Sequence, residues 1–237
     1  EFKNVDFKYH TSTNNIITNL ECSIYKGEKV GIAGVSGSGK STFLSLFLGM
    51  IDPDNGKIFI NDENFELFKK SFRSDIGYVQ QLITLLDDSI QENVIFGRLN
   101  KLQNNTDQVL SVLKKSKIYD FCNTLDEGIN TMIGENGVRL SGGQRQRIGL
   151  ARSLFLNPDI IILDEATSAL DSSTEKQIME DILSLDSKTI IFSTHKLRIL
   201  EKFDKILFFE PKGRVLSGKF DELMKTSEEF KNLVKNN

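Results

Sequence analysis

Gly34-Val35-Ser36-Gly37-Ser38-Gly39-Lys40-Ser41-Thr42 is the stretch that decides how this chain folds. It fits the spacing G-x-x-x-x-G-K-S/T, and its surroundings match what that spacing needs. Lys29 to Ala33 before it reads as a short apolar strand ending at Gly34. Phe43, Leu44, Phe47 and Leu48 after it recur at helical spacing, which predicts a helix over Thr42 to Leu48. Gly34, Gly37 and Gly39, with Ser36 and Ser38 between them, let the backbone fold tightly. Successive N–H groups then point inward at phosphate oxygens, and the positive end of the helix dipole adds to the attraction. Lys40 would reach the outer phosphates of a nucleotide, the Ser41 hydroxyl would ligate Mg²⁺, and Thr42 would donate toward the α-phosphate. An ordinary glycine-rich turn with a surface lysine would not need a strand and a helix on its two flanks.

Further along, Ile160-Ile161-Ile162-Leu163 is a buried type of strand that ends in Asp164 and Glu165. Ligands gather at the carboxyl ends of parallel strands, so these carboxylates are expected at the phosphate end of the fold. Asp164 would hold Mg²⁺ through its water shell, because that ion prefers oxygen ligands and keeps several waters. Glu165 would polarise the water that attacks the γ-phosphate. The bland reading makes the pair a helix cap. His195 follows the apolar strand Thr189 to Ser193 and also emerges at a strand's carboxyl end; on position alone, a structural role and contact with a γ-phosphate weigh about equally. Leu140-Ser141-Gly142-Gly143-Gln144 opens another helical run. A serine and two glycines before a helix make a second small anion cradle. One nucleotide does not need two cradles, so the second is expected to serve the nucleotide of another copy.

The 237 residues are 39% apolar and 27% charged, with 17 Gly and 3 Pro, the profile of a packed globular chain. A formal net charge of -3 gives no electrostatic footprint for nucleic acid, and no nucleic-acid partner is expected. Cys22 and Cys122 lack C-x-x-C spacing and have no histidine cluster near them, since His10 and His195 are the only histidines. They read as reduced thiols of a cytosolic protein. The apolar runs fall far below the ~20 residues of a membrane span, which predicts a soluble chain. The absence of an initiator Met at Glu1 is expected of a domain cut from a longer polypeptide, and equally of N-terminal trimming.

Coarse organisation follows from periodicity. Phe2, Val5, Phe7 and Tyr9, then Ile16 to Tyr25, alternate around a polar loop, His10 to Asn15, and predict two half-buried strands. Gly56 to Ile60 and Ile76 to Val79 read as further strands. From Ser89 to Phe155 the pattern is mostly helical, with helices predicted over Ile90 to Phe96, Thr106 to Leu125 and Gly142 to Leu156. Strand and helix then alternate through Ile160 to Leu163, Thr174 to Leu185, Thr189 to Ser193 and Lys205 to Phe209, before amphipathic helices in Lys219 to Lys235. The fold class is therefore α/β: a P-loop core with a mainly parallel sheet, an N-terminal antiparallel β subdomain and a helical subdomain inserted in the middle. The core is expected over about 1–85 and 157–237, and the helical subdomain over about 86–156.

In this order the motifs resemble those of ABC-transporter nucleotide-binding domains, and the likeness covers nearly the whole chain. Gly34 to Thr42 matches Walker A, Ile160 to Asp164 matches Walker B, and Leu140 to Gln144 matches the family signature letter for letter. The resemblance implies ATP and Mg²⁺ as ligands, Glu165 as catalytic glutamate, His195 as switch histidine and Ser168 to Asp171 as D-loop. It implies that Tyr9 stacks on adenine, that Gln81 contacts Mg²⁺ and water at a hinge, and that Ser141, Gly142, Gly143, Gln144 and Asp171 belong to the nucleotide site. Thr131 to Gly137 and Leu85 to Asn93 are similar to exporter segments near the docking site of a transmembrane coupling helix. The wording of Leu85 to Gly97 is somewhat similar to flippases of lipid-linked oligosaccharides. His10 and Gln80 stand where the family usually has proline, which affects loop stiffness more than chemistry.

The resemblance implies a head-to-tail dimer with ATP sandwiched between copies, a homodimer being the simplest case. It also implies a transmembrane domain of the same polypeptide or complex, and a place at the cytoplasmic face of a membrane. A soluble, non-transport ABC ATPase is the alternative, although such proteins usually carry two nucleotide domains or a long coiled-coil insertion. A small-molecule kinase would leave Leu140 to Gln144 and His195 without a role.

Overall fold

The computed structural model describes residues 1–10, 12–96 and 106–235. Thr11 of the predicted His10 to Asn15 loop, Gly97 of the Leu85 to Gly97 stretch and the part of the helical section at 98–105 lie outside the described residues. In chain order the elements are β1 (Phe2–Phe7), β2 (Ile17–Cys22), β3 (Lys29–Gly34), α1 (Lys40–Phe47), β4 (Asn55–Ile60), β5 (Glu63–Asn64), α2 (Lys69–Ser74), β6 (Ile76–Val79), α3 (Ile90–Ile95) and α4 (Thr106–Lys115). There follow α5 (Tyr119–Asn123), α6 (Gly142–Leu154), β7 (Ile160–Asp164), α7 (Ser172–Leu183), β8 (Thr189–Ser193), β9 (Lys205–Phe209), β10 (Val215–Gly218), α8 (Phe220–Thr226) and α9 (Glu228–Lys235). The chain divides into two compact units, Glu1–Asp75 with Thr189–Asn237, and Ile76–Lys188.

In the first unit, β2, β1, β4 and β5 form an antiparallel sheet in that order. Period-two alternation places it: Phe2, Val5 and Phe7 are buried while Lys3 and Asn4 are exposed. Strands β9, β3 and β8 run parallel, and β10 closes the β9 side antiparallel. All six residues of β3 are buried, as expected for a strand flanked on both edges. Helix α1 is held by an aromatic cluster. The Phe43 ring lies 5.2 Å from Phe2 of β1 and 5.6 Å from Phe209 of β9, so one side chain ties the helix to both sheets. Burying such a ring contributes about 2 kcal/mol, which fixes the helix start where the glycine loop ends.

The second unit is built on the parallel pair β6 and β7 and on α6. Gly77 allows close packing there, since a Cβ at that position would lie 2.5 Å from the Ser153 carbonyl oxygen of α6. Asn93 of α3 is fully buried and organises the segment before it. Its Oδ1 accepts from the Leu86 N–H (2.8 Å), and its Nδ2 donates to the carbonyls of Leu86 (3.1 Å) and Ser89 (3.0 Å). Arg152 of α6 joins this hub, donating to the Asn93 carbonyl (2.8 Å), to Asn93 Oδ1 (3.0 Å) and to the Thr84 carbonyl (2.9 Å).

The single helix predicted over Thr106 to Leu125 is two. Lys117 takes φ 56°, its N–H bonds to the Lys114 carbonyl, and the Ile118 N–H bonds to the Leu113 carbonyl. This is a Schellman end with lysine in the left-handed position that glycine usually fills. Leu113 and Ile118, both fully buried, supply its apolar contact. The short elements β5, α2 and β10 were not anticipated. Tyr9 lies beyond the end of β1. Cys22 and Cys122 are buried free thiols, one in each unit. Burial pushes their pKa values up to about 12 and about 11, so both stay protonated.

Asp171 is the N-cap of α7: its Oδ1 accepts from the Thr174 N–H (3.0 Å) and from the Ser173 hydroxyl (2.6 Å). These bonds, the Ser173 one foremost, hold its carboxyl well below the usual carboxylate range. A folded pKa below the unfolded one stabilises above the unfolded value of about 4 and is lost as pH falls through the folded value. Denaturant titrations should therefore show the wild-type advantage over Asp171→Ala at neutral pH shrinking progressively below about pH 4. Asn93→Ala, which strands the partners of a buried amide, should cost about 3 kcal/mol of unfolding free energy in the same assay.

Candidate nucleotide-binding site

The first unit carries the glycine loop at the carboxyl end of β3. The parallel registers Ile32↔Ser193 and Gly34↔Phe209 bring the chain after β8 to the same edge, so His195 emerges beside the loop's strand, as its position predicted. His195 is exposed, and the turn around it is shaped by Thr194 Oγ1 accepting from the Lys196 N–H (3.0 Å). Gly34 has φ 148°, and a Cβ there would meet the Phe209 carbonyl oxygen and Ser38 Oγ at 2.6 Å each. Only glycine fits that corner.

The loop is rich in donors and poor in acceptors for them. Helix α1 begins at Lys40 with Gly39 as N-cap, so no side chain caps its first-turn amides. Ser38 Oγ is buried without a hydrogen-bond partner among the described residues. Ser193 Oγ, at the carboxyl end of β8, is in the same condition; sequence reasoning had not singled it out. The buried Lys40 ammonium curls back on the loop, donating to the carbonyls of Gly34 (2.8 Å) and Val35 (3.0 Å). Ser36 and Gly37 of the loop and Ser41 of α1 are exposed. Apart from Gly37 itself and its two chain neighbours, no described atom lies within 4 Å of a Cβ position at Gly37, so the loop is open there. An orphaned hydroxyl, uncapped amides and a buried ammonium fit the oxygens of a triphosphate. Tyr9 lies next to this helix start. Its hydroxyl is 3.2 Å from Thr42 Oγ1, its ring meets Phe7 edge-on at 5.0 Å, and 45% of it remains exposed, which leaves a π-face available.

The second unit gathers the carboxylates. Register Val79↔Leu163 puts Gln81 and Glu165 each two residues beyond the paired strand ends. Gln81 Nε2 donates to Glu165 Oε2 at 2.7 Å. Two residues chosen from distant parts of the sequence are thus brought into contact. Glu165 holds a left-handed backbone, φ 50°. Asp164 is half-buried, and its Oδ2 accepts from the Tyr78 hydroxyl at 3.4 Å. Burial first, and then the negative charge of Asp164, push the Tyr78 phenol up to about 12, so it remains a donor at neutral pH.

Ser141 is the N-cap of α6 in a capping box. Its Oγ accepts from the Gln144 N–H (3.2 Å), and Gln144 Oε1 accepts from the Ser141 N–H (2.7 Å). Gly142 and Gly143 form the first turn. The carboxylate of Asp171, expected at the nucleotide, is occupied as the cap of α7. The two exporter-like segments meet: Ser89 bridges Met132, the Ile90 N–H bonds to the Thr131 carbonyl (3.2 Å), and the Ile133 N–H to the Asp88 carbonyl (3.2 Å). Leu82, Leu86, Met132 and Val138 stand exposed in this unit. Tyr78 and Gln146 escaped the sequence reading. For Gln146 the signal was available, since it lies one helical turn after Gly142 and so on the same face.

Residues 17–168 match the family described as ABC transporter. The chain is 40% identical over 238 residues to a Rickettsia conorii protein named as an export ATP-binding/permease protein, covering 99% of this chain and 41% of that one. It is 40% identical over 228 residues to the leukotoxin translocation ATP-binding protein LktB of Mannheimia glucosida, covering 95% and 32%. A solved bacterial Atm1-family ABC exporter with ATP bound superposes with a TM-score of 0.91 at 32% identity, over 99% of this chain and 41% of that one. The chain thus spans about two fifths or less of the proteins it matches. With Walker A, Walker B and signature sequences on the α/β fold of such domains, this chain belongs to the ABC transporter family, as an ATP-binding, ATPase domain.

Proposed function

We propose that this ATPase domain drives export through an attached transmembrane domain by closing and opening a head-to-tail pair around ATP. The observation that carries the reading is the doubled phosphate cradle. The first unit offers the loop Gly34 to Thr42 with its orphaned donors, and the second offers the start of α6 at Ser141, Gly142 and Gly143. A single nucleotide engages the first. A copy related by a two-fold axis can bring the second to its far side.

Within that reading the roles divide by chemistry. Gly34, Ser36, Gly37, Ser38, Gly39 and Thr42 bind phosphate through backbone and hydroxyl donors, and Lys40 leaves the loop carbonyls for the outer phosphates. Tyr9 stacks on adenine. Ser41, Asp164 and Gln81 are the oxygen donors that would hold Mg²⁺, which when bound neutralises phosphate charge. Glu165 accepts the proton of the attacking water once its bond from Gln81 opens, and His195 contacts the γ-phosphate. Ser141, Gly142, Gly143, Gln144 and Asp171 act on the partner's nucleotide. The core over about 1–85 and 157–237 and a helical subdomain over about 86–156 are the proposed functional division. The joined segments at Ser89 and Met132, with exposed Leu86 beside them, support docking of a coupling helix at the cytoplasmic face of a membrane. The cargo reading extends, on the wording of Leu85 to Gly97, to a lipid-linked oligosaccharide. Stimulation of the membrane-embedded ATPase by that lipid, and not by peptide, tests it.

Among the described residues no helix is long and apolar enough to cross a membrane, so the membrane link rests on the attached domain. Glu165→Gln should bind ATP, lose at least about a hundredfold in turnover, and elute as a dimer with ATP and Mg²⁺ in size-exclusion chromatography. A monomer under those conditions would sink the sandwich. Hydrolysis without any added acceptor separates this ATPase from a kinase, which would stand nearly idle. Co-sedimentation with membranes rather than ribosomes separates it from a soluble ABC ATPase.

A further inference from the structure

Gln146 is a buried amide whose two polar ends are spent on one short turn. Its Nε2 donates to Ser168 Oγ (3.2 Å), and its Oε1 accepts from the Ala169 N–H (3.0 Å). That turn, Ser168-Ala169-Leu170-Asp171, rests on the first turn of α6. A Cβ at Gly143 would stand 3.0 Å from the Ala169 carbonyl oxygen, and one at Gly142 would stand 3.4 Å from Ala169 Cβ. The far side of the turn is tied to α7 by the Asp171 cap and by Thr167 Oγ1 donating to Glu175 Oε1 at 2.7 Å, both buried.

We propose that Gln146 is a positioning residue that locks the Ser141 cradle and the Ser168 to Asp171 turn into one preformed surface, presented as a unit to the nucleotide held by a second copy of this chain. The proposal rests on the sandwich reading above. Packing alone would be served by methionine or leucine at 146. An amide instead matches one acceptor and one donor on a turn that is itself exposed at Ser168 and Ala169. Water can replace those bonds if Gln146 is removed, so folding loses little. What is lost is the fixed register between two loops that must arrive together, and preorganisation of that kind acts on association rather than on stability.

The test compares Glu165→Gln with Glu165→Gln/Gln146→Met, which keeps side-chain volume and removes both bonds. Expected are unchanged ATP affinity of the isolated monomer, faster hydrogen exchange at the Ala169 amide, and ATP-driven dimerisation weakened roughly tenfold, the scale of one or two lost hydrogen bonds. Gln146→Glu, which still accepts from the Ala169 N–H and from the Ser168 hydroxyl, should recover part of the dimerisation; it also reads the same junction if the methionine variant does not fold. Equal dimerisation of the single and double variants, with Ala169 exchange unchanged, overturns the proposal. Failure of Glu165→Gln alone to dimerise is a different result: it removes the sandwich reading, and the trans role of Gln146 goes with it.

Discussion

Everything at the phosphate end depends on polar groups that the protein leaves without internal partners. A buried hydroxyl lacking a hydrogen bond costs about 1–3 kcal/mol, and Ser38 and Ser193 both carry that penalty at one sheet edge. A helix start with no side-chain cap adds to it at Lys40. The surrounding structure offsets the cost with aromatic packing: Phe43 is wedged between Phe2 and Phe209, and the fully buried β3 runs between β8 and β9. The loop cannot relax to satisfy itself, because Gly34 is pressed against Phe209 and its helix is fixed by Phe43. Rigid scaffolding converts an unfavourable local state into affinity for an anion.

The same topological rule operates in each unit. The candidate site residues sit at or beyond the carboxyl ends of parallel strands, Gly34 and His195 in one and Gln81 and Glu165 in the other. The two sites differ in their electrostatics. The first is an array of donors seeking negative charge. The second is a pair of carboxylates already supplied with donors, Tyr78 for Asp164 and Gln81 for Glu165. Glu165 already accepts a bond from Gln81, whereas nothing among the described residues bonds the Ser38 hydroxyl.

Local signals were legible in the sequence, and non-local ones were not. The glycine loop, the run Ile160 to Leu163 and the capping box Ser141 to Gln144 are each written within a few adjacent residues, so spacing alone places them. The α/β class follows from where period-two and period-3.6 patterns alternate. The break at Lys117 was invisible because the left-handed position holds lysine; glycine there would have announced it. Strand β10 and helix α2 contain no buried residue, so no apolar pattern marks them in the sequence. Tyr78 and Gln81 act through partners more than eighty residues away, and no single sequence encodes that pairing openly. Asp171 was read for its motif, yet its immediate employment as a helix cap is equally local: a carboxylate three residues before Thr174.

Glu165 sits in backbone territory where a side chain beyond glycine or asparagine is disfavoured by about 1 kcal/mol. Selection for thermal endurance alone would consequently reward glycine or asparagine at 165, and a library sorted only for robustness would drift away from the acid. A position where the backbone is strained is also the one to which the proposed mechanism gives the proton of water.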